Sequence, residues 1–246
     1  RMSAQLAKNA VMVRSYSIIG GLKKLISAMA EEIVGKGGKI HTNCAVEKIL
    51  VENGKASGVV DQDGKIHNCD VIIASGGVSE TFTRLLPASS LPQGYIDKVK
   101  KIPLMGSVFM LHLGVDFDPS DVLHSVCTYF YGSYDIEGEV IRAQAGIYHE
   151  GKAGFVVHFP SLRSPGMAPS GMHALTIYTI CPDKLASGDW ETDKEKYADK
   201  LLEYAEKRLP GLRKHIVAQH ILSPVELRQL TFLDHHAFGG LAPVMN

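Results

Sequence analysis

The run from Gly37 to Gly77 constrains this sequence more than any other part of it. Gly37-Gly38 breaks an amphipathic helix expected over residues 21–35. Its Leu22, Leu25, Ile26, Met29 and Ile33 share one stripe, while Lys23, Lys24, Glu31 and Glu32 face away. Lys39–His41 then reads as a short strand, and Val46–Val51 alternates. Asn53-Gly54 supplies a type I′ turn, whose two central residues both need positive φ. Ala56–Asp61 returns, Asp63-Gly64 turns again, and Lys65–His67 runs back out. Asp70-Val-Ile-Ile-Ala74 is apolar throughout after its acid, as a strand covered on both faces would be, and it ends at Ser75-Gly76-Gly77. The expected result is an antiparallel meander feeding a buried parallel strand, which reads as the later half of a nucleotide-binding domain.

Downstream the pattern changes. Thr81–Leu86 reads as a helical turn ending near Pro87, and Ser107–Gly114 as a buried strand. Val122–Phe130 and Glu139–Ile147 are further strand candidates, followed by Gly154–Phe159, His173–Ile180 and His215–Leu222. Thr192 caps a helix expected over Thr192–Arg208, with Glu195 at the capping-box spacing and Pro210-Gly211 as its stop. Residues 1–19 are mildly helical and then extended, and Ser223-Pro224 begins a short helical turn. The fold class is therefore α/β (α+β), in which a meander part precedes a mixed, largely antiparallel sheet backed by helices.

Composition excludes several functions. Lys+Arg and Asp+Glu are equal at 26 each, so no global field favours nucleic acid or an anionic membrane. No stretch approaches the roughly 20 apolar residues of a membrane helix. Cys44, Cys69, Cys127 and Cys181 form no Cys-x-x-Cys pair, so reduced core thiols in a cytoplasmic protein are expected and a metal site is not. There is no G-x-G-x-x-G, no phosphate-binding G-x-x-x-x-G-K-[ST] and no G-x-S-x-G. Ser75-Gly-Gly77 is either a close-approach turn or a backbone passing tightly against a cofactor. The aromatic group Tyr129, Phe130, Tyr131 and Tyr134 is expected in the core, with the wall of a flat or apolar ligand as the alternative. The sequence opens on Arg1 and closes on the apolar Leu241–Asn246, so both ends read as cuts within a longer chain.

Several stretches in order resemble the phytoene desaturase / retinol saturase group of flavoproteins, within the FAD-linked amine oxidase superfamily. They are Gly20-Gly-Leu-x-x-Leu25, Gly37-Gly38-x-Ile40, Val46-x-x-Ile49, Pro160-Ser-Leu-x-x-Pro165 with Ala168-Pro169-x-Gly171-x-His173, Leu209-Pro-Gly-Leu212, and Phe238-Gly-Gly240. The resemblance implies a partial Rossmann-like FAD-binding domain over residues 1–82, a substrate-binding domain over 83–232, and a return toward the FAD domain over 233–246. It implies redox chemistry on carbon–carbon bonds of an apolar, isoprenoid or carotenoid substrate. By position, Val46 would contact the adenine end of FAD, Ala74, Ser75 and Gly76 the cofactor at a strand end, and Gly239 and Gly240 the flavin ring. Arg228, Asp234, His235 and His236 precede that glycine pair and are the catalytic candidates.

The phosphate fingerprint that the resemblance calls for is not in these residues, and a missing N-terminal segment of the same protein would be its source. FAD is therefore expected for the intact protein and weak or absent binding for this chain alone. Two other readings stay open: a flavin amine oxidase, and a non-catalytic module that binds an apolar ligand. The greasy substrate also makes peripheral membrane contact an expectation.

Overall fold

A computed structural model of the chain describes residues 17–240; most of the 1–19 stretch and the apolar run 241–246 lie outside the described residues. The chain divides into two compact units. One comprises Arg1–Glu32 and Gly106–Leu227, the other Ile33–Met105 and Arg228–Asn246. We call them the sheet unit and the meander unit.

Helix α1 (Leu22–Gly35) forms as the sequence predicts. Gly37 N–H donates to Val34 O and Gly38 N–H to Ile33 O, the paired bonds of a Schellman stop. Its apolar stripe is exposed along its whole length, and the helix has no buried residue.

The meander unit carries β1 (Val46–Glu52), β2 (Lys55–Asp61) and β3 (Ile66–Asn68), antiparallel neighbours in that order. Asn53 and Gly54 adopt φ of 50° and 76°, so the first turn is the left-handed pair that the hairpin's twist demands. Two expected strands are corrected. Lys39–His41 is irregular, and so is Asp70–Ala74, where Val71 is 77% and Ile73 91% exposed. A strand exists only through its neighbours' hydrogen bonds, and among the described residues 70–75 make no backbone hydrogen bond. The buried parallel strand is thus absent from the described residues. Beyond it a short helical turn, Val78–Glu80, widens into a π-type turn, Thr81–Leu85, before Pro87, and α2 (Tyr95–Lys100) follows. Ile49 and Val99 are the buried apolar residues of this unit.

The sheet unit is built differently. Strands β4 (Ser107–Val115), β5 (Cys127–Tyr131), β6 (Gly154–His158), β7 (His173–Cys181) and β8 (Ile216–Leu222) order as β5-β6-β7-β4-β8. Every pairing is antiparallel, so the mixed sheet expected from the sequence is here purely antiparallel. Alternation sends Phe109, Leu111, Leu113 and Val115 of β4 to one face. They form a single core with Leu175, Ile177 and Val157 and with Leu201 and Ala205 of the long helix Trp190–Glu206. Each buried Val, Leu, Ile or Phe among them contributes about 1.5–3 kcal/mol. Trp190 stacks on Phe109 at 5.4 Å between ring centroids and donates its Nε1–H to Pro182 O at 3.2 Å.

Two helix assignments differ from the sequence reading. Of Glu139–Ile147, expected as a strand, residues 139–144 belong to helix α3 (Ile136–Gln144) and the rest to the turn after it. Asp135 caps its start by accepting the Gly138 N–H, and Arg142 reaches back to Asp135 and Glu139 along one helix face. The long helix, α4, begins at Trp190 rather than Thr192, because Asp189 accepts the N–H groups of Glu191 and Thr192 and outcompetes Thr192 as the cap. Helix α5 (Pro224–Thr231) follows β8. Of the four cysteines, all free, Cys181 alone is buried; Cys69 is exposed and the other two are half-buried. The expectation of four core thiols therefore holds for one.

Candidate functional site

Two surfaces, one in each unit, gather the chemistry-bearing residues. In the meander unit the chain leaves β3 along the exposed segment 70–76 and turns into the Val78–Glu80 helical turn. A Cβ placed on Gly76 would meet nothing within 4 Å; on Gly77 it would meet the Glu80 carboxylate and Leu233 Cδ2, the latter at 2.5 Å. Gly77 is thus the close-approach position, the last residue of the Ser75–Gly77 turn named from the sequence. Glu80 is buried, and its Oε1 accepts the Asp234 N–H at 3.0 Å. Thr81 Oγ1 donates to Gly77 O at 2.8 Å, which locks the turn from inside.

The later residues arrive at the same unit. The Met105 N–H donates to Gly240 O at 3.0 Å, and Gly239 packs against the Met105 sulfur. His236 is buried, and Leu233 N–H closes back on Arg228 O beyond α5. The structure therefore brings Gly77 to Leu233 and Asp234 through Glu80, and anchors Gly239 and Gly240 on Met105. Val46 opens β1 opposite Asp61 and is 39% exposed. Glu80 and Met105, which join the segments, carry no sequence signal: one is a lone acid in a helical turn, the other a lone methionine in a loop.

Ala74, Ser75 and Gly76 are exposed, and residues 70–75 present backbone donors and acceptors that no described backbone group uses. Such a strip, ending at a glycine with open space, fits the flank of an extended dinucleotide. It does not supply a pyrophosphate cradle, which needs several convergent N–H groups at a glycine-rich helix start.

In the sheet unit the face opposite the core is only half-covered. Tyr129 and Tyr131 stack on it with ring centroids 6.3 Å apart and planes 14° apart, and they are 54% and 61% exposed. The aromatic run expected in the core is thus a surface feature, except Phe130, which turns inward against Phe155. Tyr178, Tyr129 and Cys127 lie beside one another on this face. Burial, with Cys127 and Tyr129 beside it, pushes the Tyr178 phenol up to about 12. Burial also raises Tyr129 and the Cys127 thiol. His112 meets Thr176 Oγ1 at 2.9 Å and stacks with His220 at 6.4 Å; burial lowers its pKa, and that of His158. Near neutral pH the phenols and the thiol hold their protons, and His112 and His158 give theirs up. The result is a partly aromatic wall in which the phenols of Tyr178 and Tyr129, the Cys127 thiol and the imidazoles of His112 and His158 are shifted toward their neutral forms.

Comparison with known proteins gives the family. The sequence model of the FAD dependent oxidoreductases matches residues 8–240. Phytoene desaturase (lycopene-forming) of Pseudescherichia vulneris is 26% identical over 219 residues, covering 88% of this chain and 44% of the relative. Prolycopene isomerase 2, chloroplastic, of an Oncidium hybrid cultivar is 28% identical over 229 residues, covering 90% and 37%. The crystal structure of an oxidoreductase from Methanosarcina mazei superposes with a TM-score of 0.58 at 24% identity, over 83% of this chain and 42% of that one. The chain thus spans less than half the length of these relatives. Among the described residues no helix is long and apolar enough to cross a membrane.

Proposed function

The chain belongs to the family of FAD-dependent oxidoreductases, and from that premise we propose that it serves chemistry at the carbon–carbon bonds of an apolar, isoprenoid-like polyene. The observation that carries this reading is the exposed aromatic face of the sheet unit. Tyr129 and Tyr131 offer flat contact to a conjugated chain, and burial shifts Tyr178 and His112 toward their neutral forms. An amine substrate would bring a cation, and no carboxylate stands among Tyr129, Tyr131, Tyr178, His112 and His158 to receive it. The names of the desaturase and isomerase relatives favour the same substrate class.

Bound FAD would accept or return hydride equivalents, and the protein's task is to place the substrate and exclude water. For this chain that task falls to the aromatic face, where stacking fixes the polyene plane. The 70–75 backbone, Gly76, Gly239 and Gly240 are the groups assigned to the cofactor's flank. Asp234, His235 and His236 are kept as positioning candidates, because the Asp234 backbone is tied to Glu80 beside the close-approach turn. Arg228 remains a candidate through its place ahead of them. Tight flavin binding is expected once a phosphate-binding segment of the same protein joins these residues. A substrate that dissolves in lipid makes peripheral membrane contact part of the reading.

The test is the intact protein loaded with FAD and offered a linear polyene in liposomes and, separately, primary and secondary amines. A change in polyene saturation or double-bond geometry, followed by its absorption spectrum, supports the assignment. Flavin reduction by an amine with no change in the polyene would transfer the protein to amine chemistry. Polyene binding without turnover would leave only the non-catalytic module.

A further inference from the structure

Three donor side chains far apart in sequence meet beside the β2–β3 turn, within the meander unit. Cys44 lies in the irregular segment before β1, Asp61 closes β2, and His67 is the middle residue of β3. Asp61 Oδ2 stands 2.8 Å from His67 Nε2 and 3.5 Å from Cys44 Sγ. All three donor atoms lie within 4.8 Å of one another.

Each donor is anchored by the backbone around it. Asp61 is 4% exposed, and its other oxygen, Oδ1, accepts the N–H groups of Asp63 and Lys65 at 3.1 and 2.9 Å. Those bonds fix the carboxylate plane and leave Oδ2 for the shared point. The Cys44 segment is clamped by Gln62, whose side chain bonds Ala45 N–H and Asn43 O while its N–H donates to Ala45 O. His67 is held in the β3 ladder opposite Val59.

We propose that Cys44, Asp61 and His67 form a zinc site that pins the entry of the meander to its second turn. A tetrahedral Zn²⁺, with bonds of about 2.3 Å to sulfur and about 2.0 Å to nitrogen and oxygen, sets sulfur and oxygen about 3.5 Å apart and oxygen and nitrogen about 3.3 Å apart. The first spacing is already met, and the second needs Asp61 and His67 to part by about 0.5 Å. A thiolate beside an imidazole and one carboxylate suits Zn²⁺, whereas Mg²⁺ and Ca²⁺ take oxygen sets. As the S–Zn bond forms the S–H bond of Cys44 breaks and its proton passes to solvent. His67 coordinates through Nε2 with its ring proton on Nδ1, and no electron is transferred. Water completes the shell, with His41 near enough to compete, its ring centroid 5.6 Å from that of His67. The site stands independently of the flavin reading.

The full 246-residue chain, stripped with a chelator, is titrated with Zn²⁺ and separately with Co²⁺. One Zn²⁺ per chain is expected, together with a thiolate-to-cobalt charge-transfer band. X-ray absorption of the zinc form should show one sulfur at about 2.3 Å and nitrogen or oxygen neighbours at about 2.0 Å. Cys44→Ser should abolish the band, and Cys44→Ser and His67→Ala should each weaken Zn²⁺ binding at least about tenfold. Asp63→Asn, outside the ligand set, should leave both unchanged. No zinc uptake by the unaltered chain, absorption data without sulfur, or a cobalt band that survives in Cys44→Ser would each overturn the site.

Discussion

The sheet unit encloses its own core and the meander unit does not. In the first, β4 lies between β7 and β8 and presses four apolar residues against Leu175, Ile177 and the inner face of α4. In the second, Ile49 and Val99 are the buried apolar side chains, while Val71 and Ile73 stand in solvent. Hydrogen-bonded turns rather than apolar burial hold the meander: Asn53-Gly54, the Asp61 cap on Asp63 and Lys65, and the Gln62 clamp. Burial scales with area and is cooperative, whereas each net hydrogen bond contributes about 0.5–1.5 kcal/mol. One chain therefore contains a unit stabilised by its interior and a unit stabilised by its connections.

Four substitutions or conditions test this contrast. The largest effect is expected from Phe109→Ala, which removes a fully buried ring stacked on Trp190 and should lower the stability of the sheet unit by about 3–5 kcal/mol in denaturant unfolding. A loss below about 1 kcal/mol would mean the core is not what holds that unit. Next is Gly77→Ala. Its methyl must displace Leu233 and the Glu80 carboxylate that holds Asp234, a cost of about 1–3 kcal/mol, read as faster amide exchange around residues 77–81 and 234. Unchanged exchange there would show that the turn is looser than its contacts imply.

The third test uses acid. The hydrogen bond from His67, with those from Lys65, Cys44 and Asp63, holds the Asp61 carboxyl at about 2. Burial pushes Glu226 up, but Lys194 and the Ser223 hydroxyl and N–H outweigh it and hold this carboxyl at about 2 as well. Both carboxyls are more acidic folded than unfolded, where they titrate near 4. Their stabilisation is present above about pH 4 and is lost as pH falls towards 2. With chelator present, Asp61→Asn should flatten that acid limb for amides in β2, and Glu226→Gln should flatten it around β8 and the start of α5. Loss of both limbs in either variant would mean the units unfold together. The smallest effect belongs to Ile73→Ser, expected to change stability by less than about 0.5 kcal/mol, because the side chain is already in water.

The sequence carried the turns well and the coverings poorly. Asn53-Gly54 sets the register of β1 on β2, since a two-residue positive-φ turn leaves one pairing for its flanks, and both strands fall within a residue of their expected limits; at the second turn Gly64 alone has positive φ. Val71 to Ala74 misled because apolar composition reports what a segment could bury against, not whether a partner pairs with it. Glu139–Ile147 misled because short apolar runs fit strand and helix alike until Asp135 and Arg142 decide between them. Tyr129 and Tyr131 misled because alternation assigns two faces to a strand but not which one is covered. The Ser75–Gly77 and Gly239-Gly240 stretches were visible as candidates, whereas the bond from Asp234 to Glu80 and the meeting of Cys44 with His67 arise only from folding.

The strand order has a consequence for how the chain must be made. Strand β4 pairs with β7 and β8, so Ser107 finds Cys181 and Val115 finds Ile216. A ribosome adding about 5–20 residues per second finishes β4 well before either neighbour has been synthesised. During those seconds Phe109, Leu111 and Leu113 have no native partner strand, and the high contact order makes closure slow even after release. Synthesis, rather than the finished molecule, is therefore the stage at which these side chains of β4 stand longest without their neighbours.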